Sequence, residues 1–466
     1  MNDIICAPAA ALADLIRSGK LSSEEVVDAH LRRIEQVNPE LNAVVQLTAD
    51  AARVNAREAD ADLCRGTVRG PLHGVPVTIK DAFETAGVVS TGGTEGRRSF
   101  VPYRDATAVA RLRAAGAIVL GKTNVPELSL VYETDNLVYG RTKNPYDPAR
   151  APGGSSGGEA AIIAAGGSPL GLGSDTAGSV RVPAHFCGVA GIKTTTGLVP
   201  MTGHFPYNVW VTEWLSAAGV LSRYVEDLAL VLPIIAGVDW RDPAVVPVLL
   251  GNPGNVDLRS LRAAFFTDNG LAVPTPETVT AVKAAAKALS DAGVEVQEAR
   301  PEGIEQSHEL MRQILGADGG AGLRMVLEMA GTTKTHPLTK RVLASMRSST
   351  LSLGEFSGLM VRWYFYRSAM LSFMQRYDAV LCPVCTHPAL PHGAAAKNET
   401  APAFSYATAF NLTGWPAASV RAGASPEGLP IGVQVAARPW REDVALAAAR
   451  QIETTLGGWL PPALTN

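Results

Sequence analysis

Three segments of the chain carry residues that together could cleave an acyl bond. Lys80 follows a short apolar run, a glycine- and serine-rich loop occupies residues 153–158, and a second such loop occupies residues 173–179. Serine is a weak nucleophile until a base removes its proton. Lysine can be that base only when neutral, and burial beside Val77 and Ile79 would favour the neutral form. The sequence therefore predicts a serine nucleophile activated by a buried lysine.

The glycines of both loops suit the stabilisation of a developing oxyanion. Backbone N–H groups can crowd a negative charge where side chains are absent, and a serine that opens a helix adds its own N–H and the helix dipole. Taken singly, a lysine at a strand end is usually solvated and a glycine–serine loop is usually a turn. The spacing favours an active site, because Ser179 lies 24 residues after Ser155 and Lys80 lies 75 residues before it.

Two other interpretations of the first loop fail on context. Residues 154–158 match the nucleophile elbow Gly-x-Ser-x-Gly, which would make Ser156 the nucleophile of a triad with an Asp and a His. That motif needs an apolar strand directly before it, whereas residues 146–153 are rich in proline, glycine and charge. A phosphate-binding loop is excluded because no lysine follows the glycines.

A possible zinc site lies further along the chain. Cys382 and Cys385, with His387 and His392, have the outline of a metal-binding motif. Only one Cys-x-x-Cys pair is present, and the segment also fits a strand that runs into a proline-rich loop. We therefore expect no metal and no other cofactor.

The surrounding segments alternate between helix and strand, which predicts an α/β layered fold. A capping box at residues 22–25 opens an amphipathic helix. Further predicted strands are 76–80, 117–120, 262–266 and 294–296, and predicted helices are 107–115, 159–165, 276–292 and several within 305–376. Neither an internal repeat nor a low-complexity linker is visible, so we expect residues 1–466 to form a single domain.

Composition excludes several classes of function. The 466 residues are 47% hydrophobic and 18% charged with a net charge of −3, which gives no electrostatic reason to bind nucleic acid or an anionic membrane. The amino terminus lacks a secretory pattern, and the uncharged residues 400–420 contain prolines that favour buried core and loop over a membrane span. Five cysteines give no even disulfide framework. We expect a cytoplasmic enzyme.

Together these segments resemble the amidase signature family. The resemblance covers nearly the whole chain and is strongest between residues 74 and 200. It rests on the loop 153–158, on the two spacings given above, and on flanking motifs at 122–124, 142–145, 181–183, 188–193 and 428–434. It implies the amidase signature fold, an α/β architecture with a large mixed central β-sheet covered by α-helices on both sides.

The resemblance also implies an amidase mechanism. Ser179 would be the nucleophile, Ser155 a bridging serine on a cis peptide bond, and Lys80 the general base and later the general acid. Such a mechanism needs no imidazole, so His185 and His204 are expected to be loop or core histidines.

The same resemblance assigns the oxyanion hole to main-chain N–H groups. Those of Thr176, Ala177, Gly178 and Ser179 would bind the charge. Ala177 stands where many members of the family carry glycine, which narrows the room at this loop. The resemblance further implies that three residues support the loops: Asp175, Arg181 and Ser156.

The expected substrate is a small hydrophobic amide. From residue 379 to 420 only Lys397 and Glu399 are charged, and aromatic residues are frequent there, in the loop 204–210 and at Trp214. Apolar pockets with few polar groups select hydrophobic ligands. Residues 157–171 also resemble the fatty-acid amide branch of the family more than the amidotransferase branch.

We therefore expect a stand-alone hydrolase of hydrophobic acyl amides, including anilides, with carbamates (urethanes) and esters as plausible side substrates, acting as a monomer or homodimer. Two alternatives stay open. One is a glutamine-dependent amidotransferase A-type subunit, which would work with partner chains. The other is a catalytically silent binding protein on the same fold.

Overall fold

The computed structural model describes residues 2–207 and 210–463, and one mixed β-sheet runs through this part of the chain. Eleven strands form the sheet, in the order β1-β3-β2-β6-β8-β7-β12-β13-β11-β9-β10, and β4 pairs with β5 separately. The strands are β1 (Val44–Leu47), β2 (Pro76–Lys80), β3 (Ile118–Thr123), β4 (Asp135–Asn136), β5 (Gly140–Arg141), β6 (Leu170–Asp175), β7 (Ala190–Lys193), β8 (Ala217–Ser222), β9 (Arg262–Phe265), β10 (Glu295–Glu298), β11 (Ala379–Pro383), β12 (Ala417–Ala424) and β13 (Pro430–Ala437).

Helices lie before, between and after these strands. They are α1 (Asn2–Cys6), α2 (Ala9–Arg17), α3 (Ser23–Leu41), α4 (Ala49–Cys64), α5 (Thr107–Ala114), α6 (Gly157–Ala164), α7 (Arg181–Phe186), α8 (Val225–Ile235), α9 (Pro276–Asp291), α10 (Ser307–Gly316), α11 (Ala321–Met329), α12 (Pro337–Arg347), α13 (Leu353–Phe373), α14 (Ser405–Leu412) and α15 (Glu442–Leu456). Within the described ranges, none of them is long and apolar enough to cross a membrane.

The sheet has apolar side chains on both faces, and helices cover both. Along β3, Val119 packs into a cluster with residues of α5 and α8, whereas Ile118 and Leu120 pack on the other face with residues of α3 and α6. In β11, Leu381 and Val380 diverge in the same way, toward α9 and α15 on one side and toward α10, α13 and α14 on the other. Successive strand residues point to opposite faces, so the mixed sheet with helices on both sides is confirmed.

The strand that carries Lys80 lies inside the sheet. β2 pairs in parallel with β3 on one side and with β6 on the other, and all five of its residues are buried. Because parallel strands end at the same edge of a sheet, Lys80 and Asp175 emerge together at the carboxyl ends of β2 and β6. Ligands of open α/β sheets bind outside such edges. This edge is where the candidate site forms.

Most predicted elements are confirmed within a residue or two. Strand 76–80 and the capping box match, with the Ser22 amide 2.7 Å from a Glu25 carboxylate oxygen. The predicted helix 159–165 in fact begins at Gly157, inside the glycine loop. The prediction for residues 400–420 is partly wrong, because this buried segment holds α14 and the start of β12. Because residues on every side of α14 are buried, the sequence shows no alternation of apolar and polar residues at the helical period.

The start of α6 yields a stability prediction. A Cβ at Gly158 would lie 2.5 Å from the Asn124 nitrogen and 2.6 Å from its carbonyl oxygen, both backbone atoms that cannot rotate away. We expect Gly158→Ala to cost about 1–3 kcal/mol through overpacking. Gly358→Ala, in the middle of α13 with open space around it, should instead stabilise by about 0.5–1 kcal/mol. Thermal unfolding midpoints at one scan rate measure both, and a shift in the same direction would contradict the prediction.

Candidate active site

The candidate site is built around the amine of Lys80, which is fully buried at the end of β2. Its Nζ lies 2.7 Å from the Oγ of Ser155, 2.9 Å from the Oγ of Ser174 and 3.3 Å from the carbonyl oxygen of Ser174. The Gly154–Ser155 peptide bond is cis. Two of the three predicted catalytic residues, 75 positions apart, are therefore in direct contact.

Burial makes this lysine a plausible base near neutral pH. Desolvation lowers the pKa of Lys80 to about 7, although the carboxylates of Asp175 and Glu159 oppose the shift. Glu159 is itself buried, which raises its pKa to about 7 against the hydrogen bonds donated by Thr78 and Thr123. An amine in this environment can be neutral without strongly basic conditions.

Ser179 lies on the loop that is hydrogen-bonded to the loop of Ser155. It does not have the local structure that the sequence predicted. It does not open a helix, because α7 begins at Arg181 and Gly178 adopts φ +116°, a left-handed conformation that a side chain would strain. Ser179 is 8% exposed, and its carbonyl accepts the N–H of Ser156 at 3.1 Å, which joins the two loops. Both hydroxyls are described, and no hydrogen bond links those of Ser155 and Ser179 in this structure. Catalytic hydrogen bonds often tighten only when substrate binds.

A buried ion pair holds the second loop in shape. Burial alone would raise the pKa of Asp175, but the charge and hydrogen bonds of Arg181 hold it well below its ordinary value. The two side chains are fully buried, with 3.0 Å between Arg181 Nη2 and Asp175 Oδ1. Arg181 also donates to Ala407, Gln434 and Asn411, so its guanidinium is well satisfied. Asp175 therefore stays ionised, and the two side chains are paired with each other.

The carboxylate of Asp175 also engages one of the N–H groups that the sequence assigned to an oxyanion hole. The N–H of Gly178 donates to Asp175 Oδ1 at 2.7 Å and is already engaged. Within the described part of the chain, the N–H groups of Thr176, Ala177 and Ser179 show no hydrogen bond to a protein acceptor. Of the four N–H groups that the sequence assigned to an oxyanion hole, three thus lack a protein acceptor among the described residues, and the fourth is held by a carboxylate.

Two residues of the site were not found by sequence reasoning. Ser174, in β6, contacts Lys80, and its Oγ also lies 2.8 Å from Nε2 of His204. His204 is only 5% exposed, and burial lowers its pKa to about 3. It is a buried histidine, as expected, but it lies within one side chain of the base. The available signal for Ser174 was a hydroxyl residue inside a buried strand, directly before Asp175.

The other candidate nucleophile is held away from such chemistry. Ser156 is fully buried, and its hydroxyl donates to the Ser174 carbonyl at 3.3 Å. The residues before it form a loop, as the sequence suggested, where a nucleophile elbow would need a strand.

The segment with the zinc-like outline has its own hydrogen bonds. The Sγ of Cys385 donates to the carbonyl of His387 at 3.0 Å, and His392 Nε2 lies 3.1 Å from the carbonyl of Pro148. Burial raises the pKa of Cys382 and raises that of Cys385 to about 12, whereas metal ligation requires thiolates. Across residues 2–207 and 210–463, no three His, Cys, Asp or Glu side chains cluster as a metal site would require.

Aromatic and apolar side chains lie around Ala177, in the loop of residues 175–179. The hydroxyl of Tyr132 donates to the carbonyl of Ala177 at 2.6 Å, and its ring stacks on Phe404 with 3.9 Å between centroids. Trp214 is half-exposed and lies 5.8 Å from the buried ring of Trp363. Of the predicted aromatic loop 204–210, residues 208–209 lie outside the described ranges. Ala177 packs against an apolar cluster that includes Val211, Leu215, Trp363, Phe410 and Trp415.

Comparison with known proteins identifies the family of this chain. A family model described as Amidase matches residues 25–446. Fatty-acid amide hydrolase 2 of Homo sapiens is 32% identical over 97% of this chain and 89% of that protein. A glutamyl-tRNA(Gln) amidotransferase A-type subunit from Heliobacterium modesticaldum is 32% identical over 96% of both. The crystal structure of a bacterial aryl acylamidase of the amidase signature family superposes with a TM-score of 0.85 at 25% identity, covering 96% of each chain. This chain therefore belongs to the amidase signature family and is a hydrolase of carbon–nitrogen bonds.

Proposed function

We propose that this amidase cleaves hydrophobic acyl amides, including anilides, with Ser179 as nucleophile, Ser155 as proton relay and Lys80 as base. The observation that carries the proposal is the buried Lys80 amine, 2.7 Å from Ser155 Oγ, with a pKa lowered to about 7. A base is most effective when its pKa lies near the working pH. The backbone hydrogen bond from Ser156 to Ser179 supports the placement of the nucleophile beside the relay.

The mechanism follows from the order of these groups. Ser179 Oγ attacks the amide carbonyl while its proton passes through Ser155 to Lys80. The N–H groups of Thr176, Ala177 and Ser179 stabilise the oxyanion. The Lys80 ammonium then returns a proton through Ser155 to the departing amine, which leaves an acyl ester on Ser179. Water then attacks the ester and gives its proton through Ser155 to Lys80. Return of that proton to Ser179 Oγ releases the acid and restores the free serine.

The surroundings of the site support a hydrophobic substrate. Asp175 and Arg181 are paired with each other, so neither is available to grip a zwitterion. Lys397 and Glu399, the charged residues of the segment 379–420, are exposed and 3.6 Å apart. The side chains packed against Ala177 are apolar and almost fully buried, so the loop 175–179 lies in an apolar environment that suits an acyl or aryl group. Carbamates and esters, which carry the same type of carbonyl, are expected side substrates.

The two alternatives make different demands. An amidotransferase subunit must hold glutamine and pass ammonia on with the help of partner chains. The apolar surroundings of Ala177 and the paired charges favour the stand-alone hydrolase. A silent binding protein would have no need for a buried, neutralised lysine at this place, because burying an amine costs stability.

Organisation and location belong to the same proposal. We infer that residues 1–466 work as a single domain, because strands from both halves of the chain join one sheet. Five unpaired cysteines favour a reducing compartment such as the cytoplasm. The enzyme is proposed to act as a monomer or homodimer on a small molecule, without a cofactor.

The nucleophile can be tested by covalent labelling. Ser179→Ala should lower turnover by a factor on the order of 10⁶, as loss of the nucleophile does in other serine hydrolases, and should abolish labelling by a fluorophosphonate. Ser156→Ala is the matched control, and it should still carry the label on Ser179. A peptide map of the labelled wild-type enzyme that placed the adduct on Ser156 would instead favour the nucleophile elbow.

The base can be tested with two leaving groups. Lys80→Ala should lose at least about 10²- to 10⁴-fold in kcat on an anilide, and less on an activated ester, whose leaving group needs no proton. Lys193→Ala removes an equally buried lysine, whose amine donates to the carbonyls of Thr194 and Trp415. Any loss in that control should be the same on both substrates. A Lys80→Ala enzyme with near wild-type anilide turnover would disprove the triad.

The pH dependence of the rate has a definite sign. Lys80 accepts a proton only when neutral, and its pKa is lowered to about 7, so kcat/KM should be low below that pH and rise to a plateau above it. The apparent pKa belongs to the coupled triad as a whole. A pH–rate profile measured on an activated ester from pH 5 to 9, a range bracketing that pKa by about two units, provides the check. A plateau that extended down to pH 5 would contradict a lysine base.

A substrate panel separates the proposed function from its main alternative. The purified single chain should hydrolyse anilides and long-chain acyl amides with higher kcat/KM than glutamine. We expect at least a tenfold preference, since a few buried methylenes are each worth about 0.8 kcal/mol. Glutaminase activity that appeared only with added partner subunits, with no turnover of anilides, would favour the amidotransferase.

A further inference from the structure

The side chain of His204 connects to the candidate base through a single hydroxyl. Its Nε2 lies 2.8 Å from Ser174 Oγ, which in turn lies 2.9 Å from Lys80 Nζ. On the other side of the ring, Nδ1 lies 2.9 Å from the carbonyl oxygen of Pro206. An edge-on contact with Phe83, 4.9 Å between centroids, fixes the plane of the imidazole. The mechanism described above uses neither His204 nor Ser174.

The partners of His204 determine where its proton sits. A backbone carbonyl can only accept, so Nδ1 must carry the hydrogen that points at Pro206. In the neutral ring, Nε2 is then an acceptor, and Ser174 must donate its hydroxyl hydrogen to it. Burial keeps the ring neutral, because it lowers the pKa of His204. Ser174 Oγ is left with only lone pairs for Lys80.

This assignment fixes the direction of every hydrogen bond around Lys80. Its amine has three neighbours within hydrogen-bond distance: Ser174 Oγ, Ser174 O and Ser155 Oγ. The first two can only accept. A neutral amine has two N–H donors and one lone pair, so both donors go to Ser174 and the lone pair is left facing Ser155. When the amine is protonated, the added hydrogen takes the place of the lone pair and points to Ser155.

We propose that His204 is a positioning residue that acts through Ser174 to aim the lone pair of Lys80 at Ser155. The proposal rests on the function proposed for Lys80. Without an acceptor at position 204, the Ser174 hydroxyl is free to rotate and donate to the Lys80 nitrogen. The lone pair is then occupied, and the amine cannot take the proton from the relay. His204 thus removes a competing hydrogen bond without touching substrate.

The experiment compares three variants for anilide hydrolysis. His204→Phe keeps the ring and its contact with Phe83 but removes the acceptor, and kcat should fall about 10- to 100-fold, part of what a general base contributes, with KM within about twofold. His204→Gln offers an amide oxygen to Ser174 and should recover most of that loss. Ser174→Ala removes the competing hydroxyl together with one of the two acceptors that orient the amine, so its kcat should fall less than that of His204→Phe. The double variant should resemble Ser174→Ala, because without the Ser174 hydroxyl the residue at position 204 has no competing donor to hold.

The pH profile distinguishes positioning from a structural defect. Burial is the main cause of the lowered pKa of Lys80. The charged groups that face it are Asp175 and Glu159, and both raise that pKa. A loosened site that admits water would relieve that burial and move the acidic limb to higher pH. Loss of positioning should lower the plateau and leave the acidic limb in place or move it to lower pH, because a hydrogen bond donated to the lone pair favours the neutral amine. A limb shifted toward alkaline pH in His204→Phe and Ser174→Ala would overturn the proposal.

Controls separate this inference from the function it builds on. His30→Phe replaces another buried histidine, hydrogen-bonded within α3, and should leave kcat and the pH profile unchanged. Full anilide turnover by His204→Phe or by Ser174→Ala, beside an inactive Lys80→Ala, would overturn the role of His204 alone. Full turnover by Lys80→Ala would overturn both proposals. If His204→Phe does not fold, Ser174→Ala decides, because it leaves the 204 loop intact.

Discussion

The rest of the site depends on one constraint, the burial of an amine that must be able to lose its charge. Lys80 is fully buried because β2 lies between β3 and β6, with helices packed on both faces of the sheet. A buried ammonium is costly, and the protein meets this cost with a lowered pKa and three hydrogen-bond partners. A lysine on an edge strand would remain solvated and charged near neutral pH. The depth of the sheet is thus part of the chemistry.

Two other charged side chains near the site, Asp175 and Arg181, keep their charge although they are buried. Asp175 and Arg181 are also fully buried, but each has a full set of partners and both remain ionised. A buried ion pair adds little net stability. This one has a geometric effect, because the carboxylate gathers the N–H groups of Gly178 and Val180 and bends the chain before α7. Ser179 is presented on that bend.

Much of this arrangement could be predicted from the sequence, and the limits have physical causes. Local patterns correctly predicted β2, the capping box at Ser22 and the burial of Lys80. The prediction that Ser179 opens a helix was wrong by two residues, because Gly178 adopts a left-handed φ of +116° and α7 begins only at Arg181. The contact between Ser174 and His204 joins residues 30 positions apart. Only the tertiary fold brings them together, so no local pattern predicts it.

Burial also decides which of the two neighbouring nitrogen bases can work. It lowers the pKa of His204 to about 3 and that of Lys80 to about 7. An imidazole in this place would hardly bind a proton at neutral pH, so it could not deliver one to a leaving amine. Lysine starts from a higher pKa, and the same desolvation brings it into the range where it can both accept and return a proton. In a site this buried, lysine fits the proposed role of base, and the neutral histidine beside it fits that of a fixed hydrogen-bond acceptor.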